Sequence, residues 1–159
     1  MKFLFDLGGV FFDWDPNYFF KDIFEKDDER KYFLTEVCND EWNIQQDAGR
    51  TIKEAESVLI PKFPQYEEEI KMYYSNHRRM IKATFTSSIK VLDKLKKQNY
   101  ECYVLSNWSA EAFVGMTDDY PFLQSFNGLL ISGEDNMMKP DAEIYELAIT
   151  RFNLIPQET

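Results

Sequence analysis

The segment KFLFDLGG (residues 2–9) decides the fold class of this chain. An apolar run that ends at glycines is typical of a strand buried on both faces of a parallel sheet. Because a carboxylate and two glycines follow the run, the backbone turns sharply there or approaches another group closely. The segment therefore predicts a buried parallel strand with Asp6 at its carboxyl end.

The second half of the chain alternates strand patterns with helix patterns. Apolar runs predict strands over Tyr100–Leu105 and Asn127–Ile131, and helical periodicity predicts helices over 89–97 and from Asp141 to Phe152. Ser109 is suited to cap a short helix after the first of these strands. Strands that alternate with helices form βαβ units, so we expect an α/β fold around a parallel sheet.

Residues 16–83 carry helical patterns and no strand pattern. Asp15 followed by Pro16 is a helix start, and Thr51-Ile52-Lys53-Glu54 has the form of a capping box. This block separates the first strand from the others. We therefore expect a core made of residues 1–15 and 84–159, with residues 16–83 inserted as a helical domain.

Composition excludes several classes of partner. The chain has 159 residues and a net charge of -10, which disfavours binding to nucleic acid or to an anionic membrane. No segment approaches the roughly 20 apolar residues of a membrane span. Cys38 and Cys102 lie far apart without metal-ligand spacing, as in proteins whose thiols stay reduced. We expect a soluble, cytoplasmic protein.

The end of the first predicted strand has the residues of a nucleophilic site. The carboxylate of Asp6 can attack phosphorus or carbon and form a covalent intermediate. Backbone N–H groups of Gly8 and Gly9 can cradle an anion. A single Asp at a strand end is also a common turn residue, so this segment alone does not establish a site.

Two later segments supply complementary groups. Ser106 and Asn107 follow a strand, where the hydroxyl can bind a phosphate oxygen, and Lys139 can offset charge in a transition state. Ligands of open α/β sheets bind beyond the carboxyl ends of the strands, so these residues are expected at one edge with Asp6. Each segment is also ordinary turn or loop chemistry when taken singly.

Three motifs in this order resemble the haloacid dehalogenase superfamily of hydrolases, most of which are phosphatases. The motifs are FDLGGV (5–10), VLSN (104–107) and MKPD (138–141). The resemblance implies a Rossmann-like parallel sheet, with the block 16–83 as an inserted helical cap domain. It also implies a small-molecule substrate, because a cap closes over the site.

The resemblance also implies roles for individual residues. Asp6 would be the nucleophile, Lys139 would balance charge, and Mg²⁺ would be held by Asp6 and the Gly8 carbonyl. Binding of the phosphate would involve Ser106, Asn107, Gly8 and Gly9.

The first motif departs from the phosphatase pattern at Gly8, where a second aspartate usually acts as general acid and base. Our hypothesis is that water or Asp13 takes over leaving-group protonation. Equally, Asp13 and Asp15 can simply cap the entry to the cap domain. Haloacid dehalogenases also lack this acid, so the absence does not separate the two activities.

The fourth motif of the family, an acidic pair after a further strand, has no counterpart after Lys139. We therefore expect these residues to be the N-terminal part of a longer enzyme, with a core sheet that is incomplete at the C-terminus. Such a fragment would bind Mg²⁺ weakly or not at all, be nearly inactive, and self-associate through the open edge of its first strand.

The sequence favours a Mg²⁺-dependent phosphatase of a small, sugar-phosphate-like phosphomonoester, acting through an aspartyl-phosphate. The alternatives are a 2-haloacid dehalogenase and a non-catalytic binding protein on the same fold. Trp14, Arg50 and Trp108 are candidate substrate contacts, with Trp108 expected at the mouth of the site. Arg50 could equally form a surface ion pair, and most of the aromatic residues are expected in the core.

Overall fold

A computed structural model describes residues 1–159. It has five strands: β1 (Lys2–Phe5), β2 (Phe12–Trp14), β3 (Ile81–Thr84), β4 (Glu101–Ser106) and β5 (Gly128–Ile131). Its ten α-helices are α1 (Asn17–Phe20), α2 (Asp27–Tyr32), α3 (Asp40–Asp47), α4 (Ile52–Leu59), α5 (Glu67–Ser75), α6 (Thr86–Lys97), α7 (Ala110–Phe113), α8 (Met116–Asp119), α9 (Ser132–Asp135) and α10 (Ala142–Phe152). Other helical segments are a π-helix at Phe33–Val37 and 3₁₀ turns at Pro64–Tyr66, His77–Met80, Pro121–Ser125 and Pro156–Glu158.

The central sheet is parallel, with the strand order β1-β4-β5. Phe5 pairs with Val104, so β1 and β4 end beside each other and Asp6 and Ser106 emerge at the same edge. The strand order also leaves β1 hydrogen-bonded on one side only. The predicted α/β fold with a parallel sheet is confirmed.

Both faces of the sheet are covered, as the continuous apolar runs predict. Along β4, Cys102 and Val104 face the core shared with the helical insertion, whereas Tyr103 and Leu105 face the core formed with α10. The ring of Tyr103 stacks on Phe152 at the end of α10, with centroids 4.5 Å apart. Alternate residues of one strand therefore fill two separate apolar clusters.

A short antiparallel ribbon of β2 and β3 connects the sheet to the inserted helices. The expectation that residues 16–83 contain no strand is wrong for 81–83. Strands of three or four residues are too short to show period-two alternation beside helical sequence. The ribbon brings the two ends of the insertion together, because Phe12 lies opposite Thr84.

Helices α1 to α5 all fall within residues 16–83 and surround an aromatic cluster. The rings of Phe20 and Phe33 lie 4.9 Å apart, and Trp42 meets Tyr73 edge-on at 5.3 Å. The predicted capping box at the start of α4 is present, with Thr51 as its first residue. No helix of the structure has the length and apolar character required to cross a membrane.

Candidate active site

Three segments distant in sequence meet at the Asp6 carboxylate. Lys139 Nζ lies 2.6 Å from Asp6 Oδ2, and Ser106 Oγ donates to Asp6 Oδ1 at 3.0 Å. The backbone N–H of Leu7 donates to the same Oδ1 at 2.7 Å. The Asp6 side chain is nevertheless 43% exposed, so it is oriented by its neighbours and still open to a substrate.

Asn107 fixes the segment that carries Lys139. Its Oδ1 accepts the Lys139 backbone N–H at 2.8 Å, and its Nδ2 donates to the Lys139 carbonyl at 2.9 Å. The amide of Asn107 thereby mimics a strand partner for one residue of the loop. The Asn107 side chain is therefore a clamp on Lys139, whereas its backbone N–H takes part in none of the hydrogen bonds of this loop and stays available for the predicted phosphate contact.

The two glycines after Asp6 differ in their backbone hydrogen bonds. Gly9 has a φ of +70°, which favours glycine, and its N–H donates to the Phe12 carbonyl at 3.0 Å. The expectation that the Gly9 N–H is free for an anion is therefore wrong, because the turn uses it. Neither the N–H nor the carbonyl of Gly8 takes part in a hydrogen bond of this turn, and a Cβ there would meet nothing within 4 Å.

The oxygen atoms of Asp6 and Gly8, at the carboxyl edge of the sheet, are of the chemical type that binds Mg²⁺. The Asp6 carboxylate and the free Gly8 carbonyl are hard donors of the type that Mg²⁺ prefers. No group of three His, Cys, Asp or Glu side chains is placed to hold a metal ion. These two residues would therefore hold the ion together with water and substrate oxygens, as is common for Mg²⁺.

A cavity of about 90 Å³ adjoins the Gly8 turn, between the sheet edge and the inserted helices. Trp14 and Trp108, two of the candidate substrate contacts, line it. His77 and Asp47 also line it, together with Gly8, Asn43, Tyr74 and Asn107. The cavity thus begins at the nucleophile's own turn and extends toward the inserted helices.

The side chain of Ser132 joins three elements beneath this cavity. Its hydroxyl accepts the Trp108 backbone N–H at 3.0 Å and donates to the Asp47 carbonyl at 2.6 Å. Ser132 follows β5, Trp108 follows β4, and Asp47 ends α3. The next residue, Gly133, cannot carry a side chain, because a Cβ would lie 2.5 Å from the Ala110 nitrogen.

Three ionisable groups that line the cavity have displaced pKa values, and burial raises the pKa of the Tyr74 hydroxyl well above its usual range. Burial raises the pKa of Asp47 to about 7, against a smaller opposing effect of the Ser109 backbone. Burial and the nearby charge of Arg78 lower the pKa of His77 to about 4. At neutral pH the imidazole is therefore uncharged, and the Asp47 carboxyl is present in both protonation states.

Two of the four candidate substrate or cap residues, Asp13 and Arg50, do not line the cavity. Asp13, on β2, accepts a hydrogen bond from the Tyr18 hydroxyl at 2.8 Å. Arg50 donates to Gln46 Oε1 at 2.7 Å and to the Trp42 carbonyl at 2.9 Å, so it does not form the surface ion pair considered above.

Sequence reasoning missed Asp47, His77 and Ser132. A usable signal existed for Ser132, which directly follows a strand as Ser106 does. His77 and Asp47 belong to helices with no motif around them, and only the packing of the insertion against the sheet brings them to the site.

Residues 4–159 match the family model described as haloacid dehalogenase-like hydrolase. No curated protein sequence matches the chain significantly. A HAD family enzyme from Bacteroides thetaiotaomicron is similar in structure, with a TM-score of 0.71 and 24% identity over 99% of this chain and 81% of that one. The same enzyme is also known in a complex with magnesium and inorganic phosphate.

Two further solved structures share the fold at lower identity. A predicted HAD-like hydrolase from Porphyromonas gingivalis has a TM-score of 0.70 and 18% identity over 99% of this chain and 78% of its own. An L-2-haloacid dehalogenase from Xanthobacter autotrophicus, with chloropropionic acid covalently bound, has a TM-score of 0.60 and 13% identity over 98% and 66%. From the family model and the site geometry together, we conclude that the chain belongs to the haloacid dehalogenase-like hydrolase family.

Proposed function

We propose that the chain is a Mg²⁺-dependent phosphatase of a small phosphomonoester that works through an aspartyl-phosphate at Asp6. The observation that carries this proposal is the contact of the Asp6 carboxylate with both Lys139 Nζ and Ser106 Oγ, at 2.6 and 3.0 Å. A carboxylate, an ammonium and a hydroxyl at the mouth of a parallel sheet suit a phosphoryl group, because the last two can bind its oxygens.

Each residue of the site has a separate role in the proposed reaction. One carboxylate oxygen of Asp6 attacks phosphorus while the bond from phosphorus to the leaving oxygen breaks. Lys139 and Ser106 contact the phosphoryl oxygens, and the free Gly8 N–H adds a further donor. Water then attacks the aspartyl-phosphate, which releases phosphate and restores the carboxylate. When bound at Asp6 and the Gly8 carbonyl, Mg²⁺ would supply positive charge that neutralises the transferring group.

A dehalogenase is the second candidate, and Gly8 is the observation that favours it. Attack of Asp6 on carbon expels a halide, and a halide leaves without a proton. A site with glycine instead of an acid two residues after the nucleophile therefore suits dehalogenation. EDTA separates the two activities, because the carbon chemistry would not require the metal. A binding protein without activity would have no need for the close Asp6–Lys139 pair.

The test is to assay the purified chain on p-nitrophenyl phosphate and a panel of sugar phosphates, with Mg²⁺ or EDTA. We expect only a trace of phosphate release, measured at high chain concentration and long incubation, that EDTA and Asp6→Asn both abolish, and no halide release from 2-chloropropionate. Halide release that survives EDTA would assign the chain to the dehalogenases. If neither product forms even at high chain concentration and long incubation, the binding protein is correct.

The proposal includes near-inactivity of this chain and weak or absent Mg²⁺ binding, since no group of three His, Cys, Asp or Glu side chains is placed to hold the ion. It also includes self-association through β1, whose outer edge carries unpaired backbone groups. Light scattering over a concentration series tests the latter. Buried free thiols at Cys38 and Cys102 support a reducing, cytoplasmic location.

A further inference from the structure

A second concave surface, which we call the basic cleft, lies on the insertion. It has a volume of about 480 Å³, and four of the six side chains that line it are cationic. None of the six is acidic, and none lines the cavity at the Gly8 turn. The six are Asn17, Tyr18, Lys21, Arg30, Arg79 and Lys82. Because the chain as a whole has a net charge of -10, this local excess of positive charge runs against its composition.

The basic cleft forms where the two ends of the insertion meet. One side comes from α1 and the residue after it, a second from Arg30 on α2, and a third from Arg79 and Lys82 at the return to the sheet. On β3, Ile81 packs on the apolar core, whereas its neighbour Lys82 lines the cleft. Successive side chains of a strand point to opposite faces, so the pairing of β2 with β3 fixes where Lys82 lies.

Three of the four cations have no acidic partner. Lys21, Arg79 and Lys82 take part in none of the ion pairs of the structure. Arg30 pairs through Nη1 with Asp27 at 3.1 Å, and the Asp27 side chain is 88% exposed. The Nε atom of Arg30 is buried without a hydrogen-bond partner. A buried donor without a partner is unfavourable, so the cleft lacks an acceptor that Arg30 could use.

Two carboxylates that precede α1 hold its neutral side chains rather than the cations. Asp13 accepts a hydrogen bond from the Tyr18 hydroxyl at 2.8 Å. Asp15 Oδ1 accepts from the backbone N–H of Asn17 at 2.8 Å and from its Nδ2 at 2.9 Å. These contacts hold the wall of the cleft in place and leave its positive charge available to a ligand.

Aromatic rings orient two of the cations. The Arg79 guanidinium lies over the Phe19 ring, 4.7 Å from its centroid, and Lys82 Nζ lies over the Tyr18 ring at 5.1 Å. Cation–π contacts of this kind hold a long side chain without neutralising its charge. Side chains that are already ordered lose less conformational entropy on binding, so the cleft is suited to receive an anion.

The lining restricts the ligand to a compact anion with several charges. Four cations suit several negative charges, and planar guanidinium groups suit phosphate oxygens. The lining has no aliphatic residue, and Lys82 lies over its single aromatic ring, so an acyl chain or a nucleoside base would find no apolar surface. The acidic remainder of the chain would repel an extended polyanion such as nucleic acid or an anionic membrane.

We propose that the basic cleft binds a free, compact molecule with two or more linked phosphate groups, of the kind represented by pyrophosphate and tripolyphosphate. The bound anion bridges α1, α2 and the segment that returns to β3, and so joins the start and the end of the insertion. The proposal does not rest on the proposed function, because no residue of the cleft contacts Asp6.

The binding test compares two double variants that each remove two lysine charges. Isothermal titration calorimetry in EDTA measures the binding of tripolyphosphate, pyrophosphate and orthophosphate. Lys21→Gln with Lys82→Gln removes two charges from the cleft, and Lys94→Gln with Lys97→Gln removes two from α6 as the matched control. All four lysines are exposed and lie in no ion pair, so both double variants should fold.

We expect the wild type to bind tripolyphosphate most tightly and orthophosphate most weakly. Loss of two charge-assisted contacts should weaken tripolyphosphate binding by about 100-fold, at about tenfold for each contact. The control lysines do not line the cleft, and salt of about 0.15 M screens charges beyond about 8 Å, so the control should change the affinity less than about twofold. Equal weakening by both double variants, or no binding of any anion to the wild type, overturns the proposal.

Two single variants separate the basic cleft from the catalytic site and from general attraction between charges. Lys139→Gln removes the cation beside Asp6 and should leave tripolyphosphate binding unchanged. Arg30→Lys keeps the charge but loses the planar fork, so it should weaken binding by about tenfold, with thermal unfolding as the check that the variant folds. Binding that Lys139→Gln abolishes, or a folded Arg30→Lys chain that binds as the wild type does, overturns the proposal.

Sedimentation with vesicles distinguishes a free ligand from a lipid headgroup of the same chemistry. The vesicles contain phosphatidylcholine with a phosphoinositide. We expect the chain to stay in the supernatant, because its net negative charge opposes approach to an anionic surface. Co-sedimentation that the Lys21→Gln and Lys82→Gln pair abolishes, without calorimetric binding of any free anion, overturns the free ligand.

Discussion

Replacing His77 with Phe should change how the stability of the chain depends on pH. The His77 ring is 8% exposed and lies among Trp14, Tyr74 and Trp108, with centroid distances of 5.8, 6.0 and 5.6 Å. Burial lowers its pKa from 6.5 to about 4. The unfolded chain therefore binds this proton more tightly than the native chain does.

Proton linkage gives the sign and the size of the change in unfolding free energy with pH. Above a pH of about 6.5 His77 is neutral in both states and contributes nothing to the pH dependence of stability. As the pH falls from about 6.5 to about 4, protonation favours the unfolded chain, and the total loss of stability is about 3 kcal/mol. Phe cannot titrate, so His77→Phe should not show this loss.

Urea unfolding followed by tryptophan fluorescence measures the effect at a series of pH values. We expect the free energy of unfolding of His77→Phe minus that of the wild type to grow by about 3 kcal/mol over this pH range. The comparison cancels the other carboxylates, which titrate in both proteins. A difference that stays constant with pH would refute the conclusion that His77 is buried in its neutral form.

Three further substitutions test other parts of the structure. Asp47→Asn should have the opposite pH dependence, because burial raises the native pKa of Asp47 from 3.8 to about 7. As the pH rises through this range, the wild type should lose stability relative to the variant. Urea unfolding that shows no such trend would contradict the burial of the carboxyl. Asn107→Ala removes both side-chain hydrogen bonds to the Lys139 backbone, so urea unfolding should show a loss of about 1 to 3 kcal/mol, and an unchanged stability would argue against the clamp. Thr51→Ala should cost about 1 kcal/mol in thermal unfolding and Thr51→Ser much less, since serine keeps the capping hydroxyl; equal losses would contradict the capping box.

Sequence patterns predicted the elements that are long or carry a distinct local signal. The apolar runs gave β1, β4 and β5, because strands covered on both faces need apolar residues throughout. The capping box at Thr51 and the cap at Ser109 are local chemistry, and both are present. The strands β2 and β3 were missed, because their pairing depends on the ends of the insertion meeting in space.

The candidate site likewise contains residues that the sequence predicted and residues that it did not. The sequence predicted Asp6, Ser106 and Lys139, since each belongs to a motif at the end of a strand or the start of a helix. Arg50 was a candidate because it is charged and follows a glycine. In the structure, however, its guanidinium donates to Gln46. Asp47 reaches the cavity only through the packing of α3 against the residues after β5, which no local pattern encodes.

The most direct test of the central claim is to trap the covalent intermediate on the nucleophile. The chain is incubated with p-nitrophenyl phosphate and Mg²⁺, quenched in acid and digested, and the peptides are analysed by mass spectrometry. We predict the added mass of one phosphoryl group on Asp6, present in the wild type and absent in Asp6→Asn. Phosphate release without any phosphorylated Asp6, or a phosphoryl group on another side chain, would contradict the account.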